Sequence, residues 1–308
     1  SAKNSGAEVI KHQTHLPYYE MSEEAKKIVP VHTKENIYKI IEKCSLKVDE
    51  EIKLKKFVES KKLIFISTPF SREAAHQLNL MGVKAFKIGS GECNNYPLLK
   101  HIVSFGKPII MSTGMNTIES IRKSVLIIEK ANVPYALLHT TNIYPTPPEL
   151  VRLGAMNELK NEFPNAIIGL SDHTVTNHAC FGAIAMGACI LERHFTDRMD
   201  RPGPDISCSM DGKALKELIE GSSILYLERG GTKGPVKEEQ PTIDFAYATI
   251  VTIKNVKKGD IFSSENIWVK RPGVGELLAE KFEDVLGCKS SRDLKVDCHL
   301  KASDIVGL

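Results

Sequence analysis

Ala166-Ile167-Ile168-Gly169-Leu170-Ser171-Asp172-His173-Thr174 joins a short apolar run to four polar residues without a break. A run of this length, bounded by turn-forming residues, reads as a buried parallel strand whose end carries polar groups. Six more runs of the same kind lie at 8–11, 63–67, 85–88, 108–111, 135–138 and 189–192. Most of their ends lie about 20 to 30 residues apart, the length of a strand, a helix and two loops. The stretches between them carry helical periodicity, as in Ile118, Ile121, Val125 and Ile128, which share one helix face. This alternation predicts a parallel α/β architecture. The runs also end in polar residues: Lys11 and Gln13; Ser67 and Thr68; Lys87, Ser90 and Glu92; Ser112 and Thr113; Asn142 and Tyr144; Ser171 to Thr174; Glu192 to Thr196. In a (β/α)8 TIM barrel all of these meet at the C-terminal face, where the active sites of that fold are built, so the barrel is preferred over an open doubly wound sheet. Seven runs leave a barrel one strand short. Gly6, placed like a helix C-terminal glycine just before the first run, gives the expectation that a strand and helix precede Ser1.

Beyond the last run, residues 229–244 are rich in Gly, Pro and charge and read as a linker. The texture then changes to short β-prone runs at 248–253 and 267–270, on either side of the turn-like Lys257-Lys258-Gly259-Asp260. The expected organisation is a barrel domain over 1–228, a linker over 229–244 and a small β-rich domain over 245–308.

With 42% hydrophobic and 26% charged residues, the 308-residue chain has the composition of a globular protein with a sizeable core. Its net charge of +3 is spread without long blocks of one sign, which argues against nucleic acid or a membrane surface as partner. Seven cysteines without a CxxC pair make a poor disulfide framework and a poor zinc site, and read as free thiols. No apolar run reaches the roughly 18 residues of a membrane span, and no signal-peptide core opens the chain, so a cytoplasmic protein is expected.

The strand ends hold the candidate chemistry. His173 and His194 follow neighbouring strands and can share one divalent ion, or each can simply hydrogen-bond within its loop. His139 and His178 read as structural. Lys11 and Lys87 end two strands, and each suits either a Schiff-base nucleophile or a counter-ion for phosphate and carboxylate. Ser90-Gly91, Ser112-Thr113-Gly114 and Ser171 add hydroxyls and open backbone for an anion. Asp197 to Asp205 is a charged loop at the barrel mouth, and Arg271 lies beside Trp268, the only tryptophan. Neither a Walker A sequence nor a dinucleotide fingerprint is present, which argues against a nucleotide cofactor.

Several of these strings belong together: Lys11-His12-Gln13-Thr14-His15, Ile88-Gly89-Ser90-Gly91-Glu92-Cys93-Asn94-Asn95, Thr141-Asn142-Ile143-Tyr144-Pro145-Thr146-Pro147, Gly169 to Thr174 and Glu192-Arg193-His194-Phe195-Thr196. In this order they closely resemble the bacterial N-acetylneuraminate (sialic acid) synthases, from about residue 6 to the C-terminus. The resemblance implies a TIM barrel followed by an antifreeze-like (SAF) domain, and a domain-swapped homodimer in which Arg271 serves the partner's site. The implied reaction condenses phosphoenolpyruvate with open-chain N-acetylmannosamine and releases phosphate, with Mn²⁺ (or Mg²⁺ or Co²⁺) held by His173 and His194. By the same resemblance, Lys11, Thr68, Lys87, Ser90, Ser112, Asn142 and Ser171 bind phosphoenolpyruvate, and Gln13, Glu92, Tyr144, Asp205, Phe245 and Arg271 contact the amino sugar. Lys11, Lys87, His173 and His194 are the expected catalytic set. The family's first-strand Glu-Ile-Gly-x-Asn-His motif has no counterpart here, so the chain is expected to be an incomplete record of the protein or a truncated form. A sister synthase acting on a diacetamido hexose, to give legionaminate or pseudaminate, keeps the same chemistry. A Schiff-base aldolase and a non-catalytic sugar- or phosphate-binding relative are the readings of other classes.

Overall fold

A computed structural model describes residues 1–29, 35–203 and 205–307. Pro204, in the charged loop singled out above, lies outside the described residues. The chain divides into two compact units, Ser1–Gly230 and Gly231–Leu308.

In the first unit each of the seven apolar runs forms a strand: β1 Val9–Thr14, β2 Ile64–Pro69, β3 Phe86–Ile88, β4 Ile109–Ser112, β5 Tyr135–Thr140, β6 Ile167–Asp172 and β7 Ile190–Arg193. All pair in parallel, in sequence order, in one sheet. Although β1 and β7 are its edges, Lys11 Nζ of β1 lies 3.0 Å from Glu192 Oε1 of β7. The sheet is therefore curled into a TIM-barrel-like wall with one stave open. The strands are followed by α1 Val48–Ser60, α2 Arg72–Leu80, α3 Tyr96–Val103, α4 Ile118–Lys130, α5 Ala155–Glu162, α6 His178–Ala185 and α7 Gly212–Glu228. The stretch between β1 and β2, the longest gap in the sequence pattern, also holds short helices at Pro17–Glu20 and Ile37–Cys44.

Packing follows the periodicity. Ile121, Val125 and Ile128 of α4 are buried, joined by Ser124 on the same face, while Thr117 caps the helix by accepting from the Ser120 amide. Phe65, Phe86, Ile88, Met111 and Leu137 of the strands meet these helices in one continuous core. Gly6 caps a single 3-10 turn, Ala2–Ser5, at φ +100°, and this turn packs on α7. The left-handed cap was legible in the glycine.

In the second unit β8 Thr249–Thr252 and β9 Ile267–Lys270 pair antiparallel, as do β10 Lys289–Ser290 and β11 Ile305–Val306. Ile250, Val256, Phe262, Ile267, Leu277, Val285, Leu294, Leu300 and Ile305 form a separate small core. The stretch 229–244, expected as a linker, holds a 3-10 turn, Lys237–Glu239, that leads into α8, Gln240–Ala246, with Pro241 in its first turn. A proline there loses no intrahelical hydrogen bond. No helix among the described residues is long and apolar enough to cross a membrane.

Candidate functional site

Alternation along the strands decides which side chains enter the barrel. Glu192 on β7 points inward and its neighbour Arg193 points to the helical layer, where it meets Asp172, its register partner on β6. Around Glu192 the ends of five strands converge. Lys11 from β1 touches Oε1 at 3.0 Å, Lys87 from β3 lies 3.7 Å from Oε2, and the Ser171 hydroxyl from β6 donates to Oε1 at 3.2 Å. Lys87 Nζ further donates to Ser112 Oγ of β4 at 2.7 Å and to its neighbour's carbonyl, Ile88 O, at 2.9 Å.

This cluster has a distinctive charge state. Lys87 is only 2% exposed, and burial pulls its ammonium down to about 8, with Glu192 opposing that fall and Lys11 adding to it. Burial alone would push Glu192 up, yet the ammonium groups of Lys87 and Lys11 outweigh it and hold the carboxyl at about 2. Two cations against one anion leave an excess of positive charge at the barrel mouth, suited to an anionic ligand.

Two buried polar atoms at these strand ends, Thr68 Oγ1 and Asn142 Oδ1, have no hydrogen-bond partner among the described residues. Ser90 Oγ accepts from the Gly114 amide at 3.1 Å. A Cβ on Gly114 would come within 1.9 Å of Asn142 Oδ1 and 2.9 Å of the Thr140 carbonyl, so only glycine fits between these residues.

Beside this anion cradle stands a group of rings. His173 and His194 have ring centroids 5.4 Å apart, and Tyr144 lies 4.1 Å from the first and 5.9 Å from the second. His173 Nδ1 donates to the Thr141 carbonyl at 2.9 Å, which fixes its tautomer and leaves Nε2 as the free donor atom for a metal. Burial lowers both imidazoles below their ordinary value, toward the neutral form that ligates. The donor set thus fits a divalent ion with two nitrogens and open positions for oxygen. His194, Asp205 and Cys208 also bring ligating atoms within 4.8 Å of one another, and Asp205 Oδ2 is 3.5 Å from His194 Nδ1.

Glu92 is held by Asn95, whose amide donates to Oε2 at 2.5 Å, and burial pushes its carboxyl up. Gln13, two residues beyond Lys11 on β1, is exposed. Phe245 at the end of α8 and Arg271 just after β9 belong to the second unit, and both are exposed. His139 bonds the Val151 carbonyl and His178 bonds Thr176, the structural roles expected of them. In the charged loop, Asp197 pairs with Arg201 and Asp200 with Arg198, all solvent-facing. Sequence reasoning missed Glu192 as the centre of the site. The signal was available, because period-2 alternation puts Glu192 on the same inward face as the strand-end lysines.

Residues 1–233 match the NeuB family and residues 247–306 the SAF domain. An N,N'-diacetyllegionaminic acid synthase of Campylobacter jejuni is 35% identical, covering 96% of this chain and 90% of its own. A pseudaminic acid synthase of Helicobacter pylori is 29% identical over 98% and 90%. Among solved structures, an N-acetylneuraminic acid synthetase of Leptospira borgpetersenii in complex with citrate superposes with a TM-score of 0.72 at 27% identity, over 79% of this chain and 81% of that one.

Proposed function

The chain belongs to the NeuB family, with a SAF domain after the barrel, and from that premise we propose that it is a nonulosonate synthase joining phosphoenolpyruvate to an open-chain diacetamido hexose. The observation that carries the first substrate is the excess of positive charge gathered by Lys11 and Lys87 around Glu192, with Ser112 and Ser171 hydrogen-bonded into the same cluster. Lys11 and Lys87 neutralise carboxylate and phosphate, Ser90, Ser112 and Ser171 orient them, and Thr68 Oγ1 and Asn142 Oδ1 supply polar contacts that the described residues leave unused.

The C3 carbon of phosphoenolpyruvate adds to the sugar aldehyde, water adds to C2, and the tetrahedral product expels phosphate. Mn²⁺ (or Mg²⁺ or Co²⁺), held by His173 and His194, would supply Lewis acidity at the aldehyde oxygen. Tyr144, tilted against His173 and edge-on to His194, walls the sugar side, where Gln13, Glu92 and Asp205 accept or donate hydrogen bonds to hydroxyl and acetamido groups. Phe245 and Arg271 reach the sugar of a partner subunit in a domain-swapped homodimer.

Similarity to legionaminic and pseudaminic acid synthases favours the diacetamido hexose over the N-acetylmannosamine expected from the motifs. The test is phosphate release from phosphoenolpyruvate by the full encoded protein with each sugar in turn, with Mn²⁺ added or chelated. Release with a diacetamido hexose, abolished by His173→Ala or His194→Ala, is expected. Release with N-acetylmannosamine alone moves the assignment to the sialic acid synthase, and silence with every sugar overturns the synthase reading.

A further inference from the structure

Behind the two histidines, on the helical side of the sheet, lies a buried polar knot that the reaction does not use. Arg193 and Asp172 are 1% and 2% exposed, and Arg193 Nε is 3.3 Å from Asp172 Oδ2. The same guanidinium donates through Nη1 to Asn177 Oδ1 at 2.7 Å and through Nη2 to the Thr174 carbonyl. Asp172 in turn accepts from the Thr174 amide at 3.1 Å and from the Thr174 hydroxyl at 2.8 Å. Asn177 ties the knot to α7 by donating to the Ala214 carbonyl at 2.9 Å.

The chain positions are the point. Asp172 and Thr174 bracket His173, and Arg193 immediately precedes His194. One guanidinium therefore grips both flanks of the first imidazole from the residue next to the second. The backbone beyond is fixed as well, since the His194 carbonyl accepts from the Met210 amide at 2.9 Å. The imidazoles need this support because the hydrogen bond from His173 to Thr141 sets a tautomer but not the distance between the two strand ends.

We infer that Arg193 and Asp172 are positioning residues that hold His173 and His194 at metal-binding separation. This rests on the reading of those histidines as metal ligands. A guanidinium holds its partners on two segments through a rigid planar fork of five donors, a geometry that the single nitrogen of a lysine does not reproduce.

The test is titration of Mn²⁺ alone into the metal-free full-length protein, following free Mn²⁺ by electron paramagnetic resonance, with the thermal midpoint of each metal-free protein measured in parallel. Arg193→Lys is expected to weaken Mn²⁺ binding about 10- to 100-fold, the range found when groups that orient metal ligands are altered. Should Arg193→Lys fail to fold, the double variant Asp172→Leu/Arg193→Met decides, since an apolar pair of similar volume commonly preserves a fold built around a buried ion pair. A folded double variant with the same loss supports the inference. Wild-type Mn²⁺ affinity in either folded variant overturns it while leaving the metal site intact. Equal affinity in wild type and His173→Ala overturns the metal-ligand reading, and the inference with it.

Discussion

Glu192 and Glu51 are two carboxylates of one barrel, both withdrawn from water, yet they sit on opposite sides of the ordinary carboxylate value. Burial raises each. At Glu192, on the inward face of β7, the ammonium groups of Lys87 and Lys11 reverse that rise and hold the acid at about 2. Glu51, on α1 behind β1 and β2, is 1% exposed and stays raised. Its partners are neutral: the Thr14 hydroxyl and the Gln77 amide donate to it, and Thr14 is linked to Ser67 at 2.7 Å. His12 approaches to 3.8 Å, but burial lowers that imidazole to about 4, so it carries no charge at neutral pH. The same barrel thus uses a half-buried carboxylate to manage cations at its mouth and a fully buried one as a hydrogen-bond acceptor joining helix to sheet. The difference lies in which face of the strands the carboxylate meets, and it separates the site from the scaffold.

The largest effect is expected on the mouth side. Lys87→Met keeps the buried methylene volume and removes the charge, and truncating one partner of a buried charge pair costs about 2–5 kcal/mol, so kcat/KM for phosphoenolpyruvate should fall at least about 30-fold. Steady-state phosphate release measures it. Glu51→Gln, on the scaffold side, should change the same quantity less than about twofold, because the groups that Glu51 touches, Thr14, Gln77 and His12, are not among the site residues. A comparable loss in both variants would dissolve the contrast. Borohydride with pyruvate should trap no adduct on wild type; a covalent adduct on Lys87 would make that lysine a Schiff-base nucleophile instead.

A smaller effect concerns pH. Burial pulls the Lys87 ammonium down to about 8, so kcat/KM for phosphoenolpyruvate should decline as pH rises through that value and the ammonium is lost. Glu192 is the group that holds Lys87 up against burial. Glu192→Gln should therefore move the alkaline limb of the profile to lower pH. A limb that stays in place would mean that another group controls it.

The seven strands were legible because each is a short apolar run closed by polar residues, and that pattern needs no knowledge of what packs on it. The lysines were legible for the same reason, as charges at the ends of apolar runs. Glu192 was harder, standing in Glu192-Arg193-His194, where only alternation distinguishes the inward carboxylate from the outward guanidinium. Glu51 could not be read at all. In Val48-Asp49-Glu50-Glu51-Ile52-Lys53 it is one of three acidic residues in a helix's first turn, where negative charge suits the helix dipole at the surface. Only the approach of β1 and β2, non-local in the chain, buries it. Helix α8 had a local signal, Pro241 near its start, that the surrounding Gly, Pro and charge obscured.

On the scaffold side the effects concern stability. Glu51→Leu takes the acceptor from the Gln77 amide and leaves the Thr14 hydroxyl only Ser67, and an unsatisfied buried polar group costs about 1–3 kcal/mol. Urea denaturation at neutral pH should show a loss in that range with phosphate release little changed in the folded protein.

The smallest effect is the most discriminating. Glu51→Gln keeps an acceptor for Thr14 and removes the ionisation, so at neutral pH its stability should lie within about 1 kcal/mol of wild type. The sign of its pH dependence follows from the raised acid constant. The folded state disfavours the ionised form, so the cost is fully present above the folded value and is relieved as pH falls through it toward the unfolded value of 4.5. Wild type should therefore gain stability relative to Glu51→Gln on mild acidification. Glu192 runs the other way: its stabilising contribution is present above 4.5 and is lost as pH falls toward about 2. Denaturation curves at a series of pH values for wild type, Glu51→Gln and Glu192→Gln should thus diverge in opposite directions, and parallel curves for the two variants would show that the two carboxylates share one environment after all.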